Sequence, residues 1–446
     1  MKGNRITMLS LALAGLAAAT QPAQATDGYF AHGYGMKSLG MGGSGVALAQ
    51  EPFGGALNPG AMSFLDSNMW EVGISWFSPR RDASRTGSGP AGLDGQSDSG
   101  SENHFIPEFA INWRYSPTVS FGMSVYGNGG MNTDYGGGEV SAASACAGFN
   151  PNPGPYNLHC GNGKLGVNLM QLMIAPYVSW QFTPGHSVGI APIITYQRFK
   201  AEGLQAFDNP FLSTSPGNVT NRGTDDSWGV GVRVGYMGQI NKFLSVGIAY
   251  ASKVDMDEFG RYKGLFAESG DFDIPSSLVA GFAVTPDDRW TLAFDYERIW
   301  YSDANSVHNR SSLILNCFGG DASACLGGSN GAGFGWQDVD VWKVGVQYRL
   351  NERWTLRGGY NHTDNPIEAQ DVTLNILAPG VMKSHWTLGA TWKIDAKSEL
   401  TSAFMYAPRE EVTGQSLFAQ LGAPPTTTDT IGMRQYELGV AYQRRF

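Results

Sequence analysis

Residues 340–350 read Asp-Val-Trp-Lys-Val-Gly-Val-Gln-Tyr-Arg-Leu. Trp342, Val344, Val346, Tyr348 and Leu350 fall on one face of an extended chain, and Lys343, Gly345, Gln347 and Arg349 on the other. Apolar and polar residues alternating at period two predict a β-strand rather than a helix. The pattern returns in Trp228, Val230, Val232 and Val234, in Trp290, Leu292, Phe294 and Tyr296, and in Trp386, Leu388, Ala390 and Trp392.

Fourteen such segments lie at 69–78, 104–115, 118–126, 169–182, 186–200, 227–240, 243–251, 277–285, 290–301, 339–350, 354–362, 384–394, 398–408 and 434–446. Their connectors alternate between two sizes. Short ones of two to four residues, such as Ser116-Pro117 and Asn241-Lys242, alternate with stretches of 21–42 residues rich in Gly, Ser, Asn and Pro. A soluble sandwich has no reason to sort its loops by length. An outer-membrane barrel does, with short periplasmic turns, long extracellular loops, an even strand count and an apolar exterior. Trp113, Tyr115, Phe121, Trp180, Phe182, Phe243, Trp290, Tyr348, Trp354 and Trp392 gather at the short-turn ends, as an interfacial girdle requires. The expected fold is therefore all-β, a 14-stranded antiparallel transmembrane barrel over 69–446.

Composition agrees. The 446 residues are only 15% charged but contain 60 glycines and 12% aromatics, against roughly 25% charge and ~7% glycine in ordinary chains. Glycine at that density excludes helical bundles, and the aromatic content excludes disorder. Lys2 and Arg5 precede an apolar run to Thr20, and Ala23-Gln24-Ala25 supplies small residues for cleavage. Residues 1–25 are thus expected to be a secretory signal peptide. Removing Lys2 and Arg5 from 30 basic residues, against 39 acidic ones, leaves a formal charge of −11. Such a chain does not suit nucleic acid.

Four cysteines in an exported chain suggest two disulfides, with three possible connectivities. Cys146 and Cys160 share one polar stretch and Cys317 and Cys325 another. Pairing within each stretch closes the shortest loops and is the expectation taken. A metal site would need ligand spacings that are missing, since there is no CxxC and His159 stands alone beside Cys160.

Inward-facing strand positions include Gly229, Gly231, Gly345, Gly389 and Gly439, leaving room inside a barrel too wide for its own side chains to fill. The candidate filling is the segment 26–68, whose Ala56-Leu57-Asn58-Pro59-Gly60-Ala61-Met62 reads as a turn closing a compact element.

Gly-Met-Lys-Ser-Leu-Gly-Met-Gly-Gly at 35–43, Asn58-Pro59-Gly60 before the first strand, fourteen strands and a terminal Phe446 together resemble the FadL/TodX family of outer-membrane transporters for long-chain fatty acids and other hydrophobic compounds. The family usually reads Asn-Pro-Ala, so Gly60 departs from it. The resemblance implies an N-terminal hatch in which Phe30, Asn58, Pro59 and Gly60 gate the ligand. It also implies a kink in the third strand at Gly127, Asn128, Gly129 and Gly130, opening the wall for sideways release. The same glycines would equally begin the 42-residue loop. Phe446 is similar to the assembly signal of outer-membrane barrels, and Arg444 breaks its apolar parity near the interface, where a charge costs about 0–1 kcal/mol.

Catalytic patterns are weak. Residues 40–45 satisfy G-x-G-x-x-G, but without a preceding strand they read as turn glycines. There is no G-x-S-x-G and no H-E-x-x-H, and the seven histidines are scattered. No enzyme activity and no cofactor are expected. The expected function is hatch-gated outer-membrane transport of a hydrophobic small molecule. The alternatives are a porin for polar solutes, which would need an open lumen, and a barrel whose loops bind a partner. Expected partners are the ligand, outer-membrane lipid and lipopolysaccharide, and the barrel-assembly machinery, with the chain a monomer.

Overall fold

In the middle of Val339–Arg349 the apolar residues are the exposed ones: Trp342 is 46% and Val344 50% accessible, while Lys343 between them is 2%. This inversion is what a strand shows when its apolar face meets lipid and its polar face a filled lumen. In the computed structural model, which describes residues 27–446, it repeats around a closed sheet. The expected signal peptide lies outside the described residues.

The barrel strands are β1 (Met69–Thr86), β2 (His104–Arg114), β3 (Val119–Asn132), β4 (Gly166–Thr183), β5 (His186–Glu202), β6 (Asp225–Gln239) and β7 (Leu244–Ala251). They continue as β8 (Ser277–Val284), β9 (Trp290–Ile299), β10 (Val339–Arg349), β11 (Trp354–Thr363), β12 (Ser384–Lys393), β13 (Ser398–Gln415) and β14 (Thr428–Arg445). Each pairs antiparallel with its neighbours, and β14 closes on β1 from Met69↔Arg445 to Thr86↔Thr428. Two short strands are appended: 95–98 pairs with β1 and 255–256 with β6.

All fourteen expected segments are present, but several run further than expected. β1 continues beyond Ser78 to Thr86, β13 beyond Pro408 to Gln415, and β14 begins at Thr428 rather than Arg434. Above the lipid-facing band the alternation no longer has to be apolar, so hydrophobic periodicity stops while the ladder continues. The short-turn girdle forms ring pairs, including Trp290–Tyr348 at 4.4 Å and Trp354–Trp392 at 6.2 Å. A second girdle crosses the outer half in Tyr196–Trp228, Tyr296–Trp342 and Tyr360–Trp386.

The N-terminal segment runs around the inner wall. Met36 lies against Gly439 of β14, Gly40 against Gly389 of β12, and Gly42 against Gly359 of β11. Ser44 then meets Gly345 of β10, Val46 meets Gly247 of β7, Asn58 meets Gly235 of β6, and Pro59 meets Gly189 of β5. At Gly189, Gly235, Gly247, Gly345 and Gly359 a Cβ would collide with the segment, so the bare backbone is a steric requirement there, while at Gly389 and Gly439 it would meet the segment more loosely, in the latter case only the thioether end of Met36. Gly345, Gly389 and Gly439 thus face it as the inward pattern suggested. Gly229 and Gly231 do not: they lie under residues 253–256, where the short added strand covers them.

The extracellular loops carry the two disulfides, Cys146–Cys160 and Cys317–Cys325, with Cα separations of 5.0 and 4.6 Å. Non-reducing peptide mapping is expected to return these pairs and no free thiol. Closing a 15-residue loop is worth about 3 kcal/mol in the chain-entropy picture. Cys146→Ser with Cys160→Ser should therefore loosen that loop to proteolysis while the heat-modifiable barrel persists.

Candidate transport path and wall opening

β3 decides the site. Its sequence ends Tyr126-Gly-Asn-Gly-Gly-Met-Asn132, and the glycines do not start the loop: the strand runs through them to Asn132. Gly127 pairs with Leu172 and Gly129 with Gln171, so Asn128 is the extra residue of a β-bulge. On the other side, β2 pairs with β3 only from Arg114↔Ser120 to Phe109↔Val125 among the described residues. Above that point His104–Glu108 remain bonded to β1, and β3 remains bonded to β4. The ladder between β2 and β3 is missing over this stretch. Pro107, which has no amide proton to offer, sits within it. The ends rejoin above, where Gly100 N donates to Asp134 O at 2.8 Å and Ser99 bridges Tyr135. The result is a window in the hydrogen-bonded wall, bounded below and above.

The N-terminal segment meets the bulge at this window. Phe30 forms a β-bridge with Gly129, and Ala31 N donates to Asn128 O at 2.9 Å. Tyr34 OH donates to Asn128 Oδ1 at 2.9 Å and its ring packs on Tyr126 at 4.7 Å. Asn128 Nδ2 donates in turn to Gln171 Oε1. A carbonyl and a side chain freed by the bulge are thereby satisfied from within the lumen.

An apolar path reaches the same point from outside. Phe199, Phe207, Phe266, Leu326, Leu374 and Leu377 line a cavity of about 40 Å³ under the extracellular loops. From there ring contacts run Phe199–Phe266 (4.6 Å), Phe266–Phe272 (4.7 Å), Phe272–Tyr29 (6.2 Å) and Tyr29–Phe30 (5.4 Å). Apart from Phe199 at the outer end of β5, these residues lie in loops, which carry no periodicity to mark them. The signal available was the run of buried aromatics, Phe207, Phe259, Phe266, Phe272, Phe334 and Trp336, set in otherwise polar stretches.

Polar side chains anchor the segment around this path. Lys343 Nζ donates to His32 O at 3.1 Å and to Glu297 Oε2 at 2.7 Å, and lies 3.9 Å from Asp27 Oδ2. Asn361 Nδ2 donates to Asp27, and the His32 and His385 rings stack at 5.8 Å. Burial pushes Asp27 up to about 7 against the pull of Lys343. Burial, helped by Lys343, lowers His32 to about 3, so it is neutral near pH 7. Asp295 Oδ2 accepts from the amides of Gly45 and Val46. Removing one partner of a buried ion pair costs about 3–5 kcal/mol. Lys343→Met is accordingly expected to release the segment, read as faster protease cleavage within 27–68 in a barrel that still shows heat-modifiable migration.

The sequence-derived site residues thus separate into groups. Phe30 meets Gly129 and Asn128 at the window. Asn58, Pro59 and Gly60 sit far along the segment: Asn58 Nδ2 donates to Val46 O and Tyr236 O, and its Oδ1 accepts from Gly60 N. The cysteines staple the loops, and Phe446 lies at the short-turn end, where its amide donates to Asn68 O.

A closed barrel with an occupied lumen, an apolar entry and an interrupted wall defines a transport barrel of the outer membrane. The chain belongs to the outer membrane protein transport family (OMPP1/FadL/TodX), which matches residues 160–446. That family is made up of transporters and channels. The chain is 21% identical over 401 residues to the long-chain fatty acid transport protein of Escherichia coli K12, covering 81% of this chain and 83% of that one. It is 22% identical over 256 residues to a 47 kDa outer membrane protein of Pasteurella multocida, covering 52% and 54%. Its fold resembles the Pseudomonas putida toluene transporter TodX (TM-score 0.64, 18% identity, 93% and 99% covered) and a Pseudomonas aeruginosa FadL homologue (0.65, 14%, 94% and 100%).

Proposed function

We propose that this protein takes up hydrophobic small molecules from the cell surface and releases them sideways into the outer leaflet, without catalysis. The ligand enters among the loop aromatics and follows the rings to Tyr29 and Phe30. The N-terminal segment acts as the hatch, and its movement at the bulge frees the window. Sideways release suits a ligand whose exposure to water costs about 0.8 kcal/mol per methylene. The observation that carries this reading is the missing β2–β3 ladder, with Asn128 and Gly129 held by Ala31 and Phe30. The segment filling the lumen speaks against the porin alternative.

Uptake of labelled toluene and of a labelled long-chain fatty acid, compared in a deletion strain with and without the gene, tests the reading. Mass spectrometry of small molecules carried through purification supplies a second readout. Restored uptake of at least one apolar ligand is expected. Restoration of polar-solute flux alone would reject the proposal.

A further inference from the structure

Two buried arginines share the inner face of β1, and their surroundings differ. Arg85 is fully satisfied: Nε and Nη2 donate to Asp429, Nη1 donates to Leu158 O at 2.6 Å, and the guanidinium lies 4.3 Å from the Phe418 ring centre. Arg81, nearer the window, is 4% accessible, yet its side chain makes a single hydrogen bond among the described residues, from Nη1 to Ser101 O at 3.2 Å. No carboxylate oxygen of those residues lies within 4 Å of it. The adjacent Asp82 points outward and is held by Arg409. A guanidinium carries five N–H donors, so most of those on Arg81 have no protein acceptor.

Arg81 stands at the upper inner rim of the window. Its carbonyl accepts from Ser99 N, and Ser101 leads into β2. His104, the first residue of β2, faces inward opposite Phe77, and neither of its ring nitrogens has a hydrogen-bond partner. Tyr135, whose bridge to Ser99 closes the window above, is fully buried with its hydroxyl unpartnered. Arg81 acts electrostatically on both side chains. The lining beside them is apolar: Phe77 on β1, Ile106 on β2 and Met433, which pairs with Arg81 across the β1–β14 ladder, are all buried. A buried cation without counter-charge is costly, and a planar guanidinium fork fits both oxygens of a carboxylate. Unmet donors set in an apolar wall match the two ends of an amphiphile.

From this we infer that Arg81, with Tyr135 and His104, forms a receptor for the carboxylate head of a long-chain acid, held at the upper rim of the window with its hydrocarbon tail along the apolar wall. The inference rests on the hydrophobic-ligand reading proposed above and adds the ligand class and the residues that select it.

The test measures binding of labelled palmitate, hexadecanol and toluene to the detergent-purified protein, alongside uptake in the deletion strain. Wild type is compared with Arg81→Gln, Arg81→Lys and Tyr135→Phe, and heat-modifiable migration reports folding in each. Arg80→Gln is the control for lost charge, since Arg80 points outward and pairs with Glu102. Palmitate is expected to bind wild type about tenfold or more tightly than hexadecanol, the scale of a charge-assisted hydrogen bond. Arg81→Gln should erase that difference and leave hexadecanol and toluene within about twofold. Arg81→Lys keeps the charge but loses the fork and should fall between, while Arg80→Gln behaves as wild type. Tyr135→Phe removes one hydroxyl and should weaken palmitate alone, which reads the site even if Arg81→Gln does not fold. Equal binding of palmitate and hexadecanol by wild type, or unchanged palmitate binding by folded Arg81→Gln, overturns the receptor and leaves the sideways route intact. Palmitate binding that depends on Arg81 without any uptake would reject the route and keep the receptor. Failure to bind any of the three ligands would remove the proposed function, and the receptor with it.

Discussion

Valine at position 129 is expected to cut uptake about tenfold or more while the barrel still assembles. Gly129 pairs with the buried, inward-facing Gln171 and is bridged by Phe30, so a branched side chain there enters the space of the N-terminal segment. Overpacking costs about 1–3 kcal/mol, and the closed ladder of thirteen other strand pairs absorbs that without unfolding. β3 keeps its pairing to β4 from Val119 to Gly127. The variant should therefore be exported, migrate as a heat-modifiable band and still bind ligand, with only release impaired. Gly127→Val with Gly130→Val should deepen the effect. Normal uptake by a well-exported Gly129→Val protein would exclude the lateral route and leave the barrel untouched.

Deleting Asn58–Ala61 is expected to turn a nearly silent barrel into a conducting one. Asn58 ties the segment to itself at Val46 and to β6 at Tyr236. Pro59 and Gly60 rest on Gly189 and Gly235, where no side chain could be tolerated. Loss of four residues pulls the chain out of these seats and exposes a polar inner wall wide enough for water. Planar-bilayer recordings should then show large, persistent single-channel steps where the parent shows few. A porin with an already open lumen would gain little conductance, so equal currents from the two proteins would favour that alternative.

The barrel was legible because lipid imposes a strict alternation over the whole span. Asp340–Leu350 suffices to show its period, and the two connector lengths give its orientation. What the sequence left out follows from the same rule. β1 above Ser78 and β14 before Arg434 carry Arg, Asp, Ser and Thr, since their outer face there no longer meets lipid and their inner face packs on polar loops and in polar pairs such as the buried Arg85–Asp429 pair. Gly127–Gly130 could be read either as strand or as loop, because a bulge breaks the period that identifies a strand. The pairing of Phe30 with Gly129 spans ninety-nine positions and has no local signature. The cavity-lining Phe199, Phe266 and Leu377 come from the outer end of β5 and two separate loops, which only the folded barrel brings together.

The seven glycines beneath the N-terminal segment have a consequence for inheritance and for engineering. Five of them, at 189, 235, 247, 345 and 359, mark places where wall and insert share a boundary with no spare volume, so neither surface can drift alone. A larger residue at any of these five positions demands a matching retreat in the insert. Chimeras that graft the stretch corresponding to residues 27–68 of one relative into the barrel of another should therefore assemble poorly, unless the recipient carries glycine at those five addresses. In such hybrids the pattern of bare positions, more than overall identity, should sort compatible parents from incompatible ones.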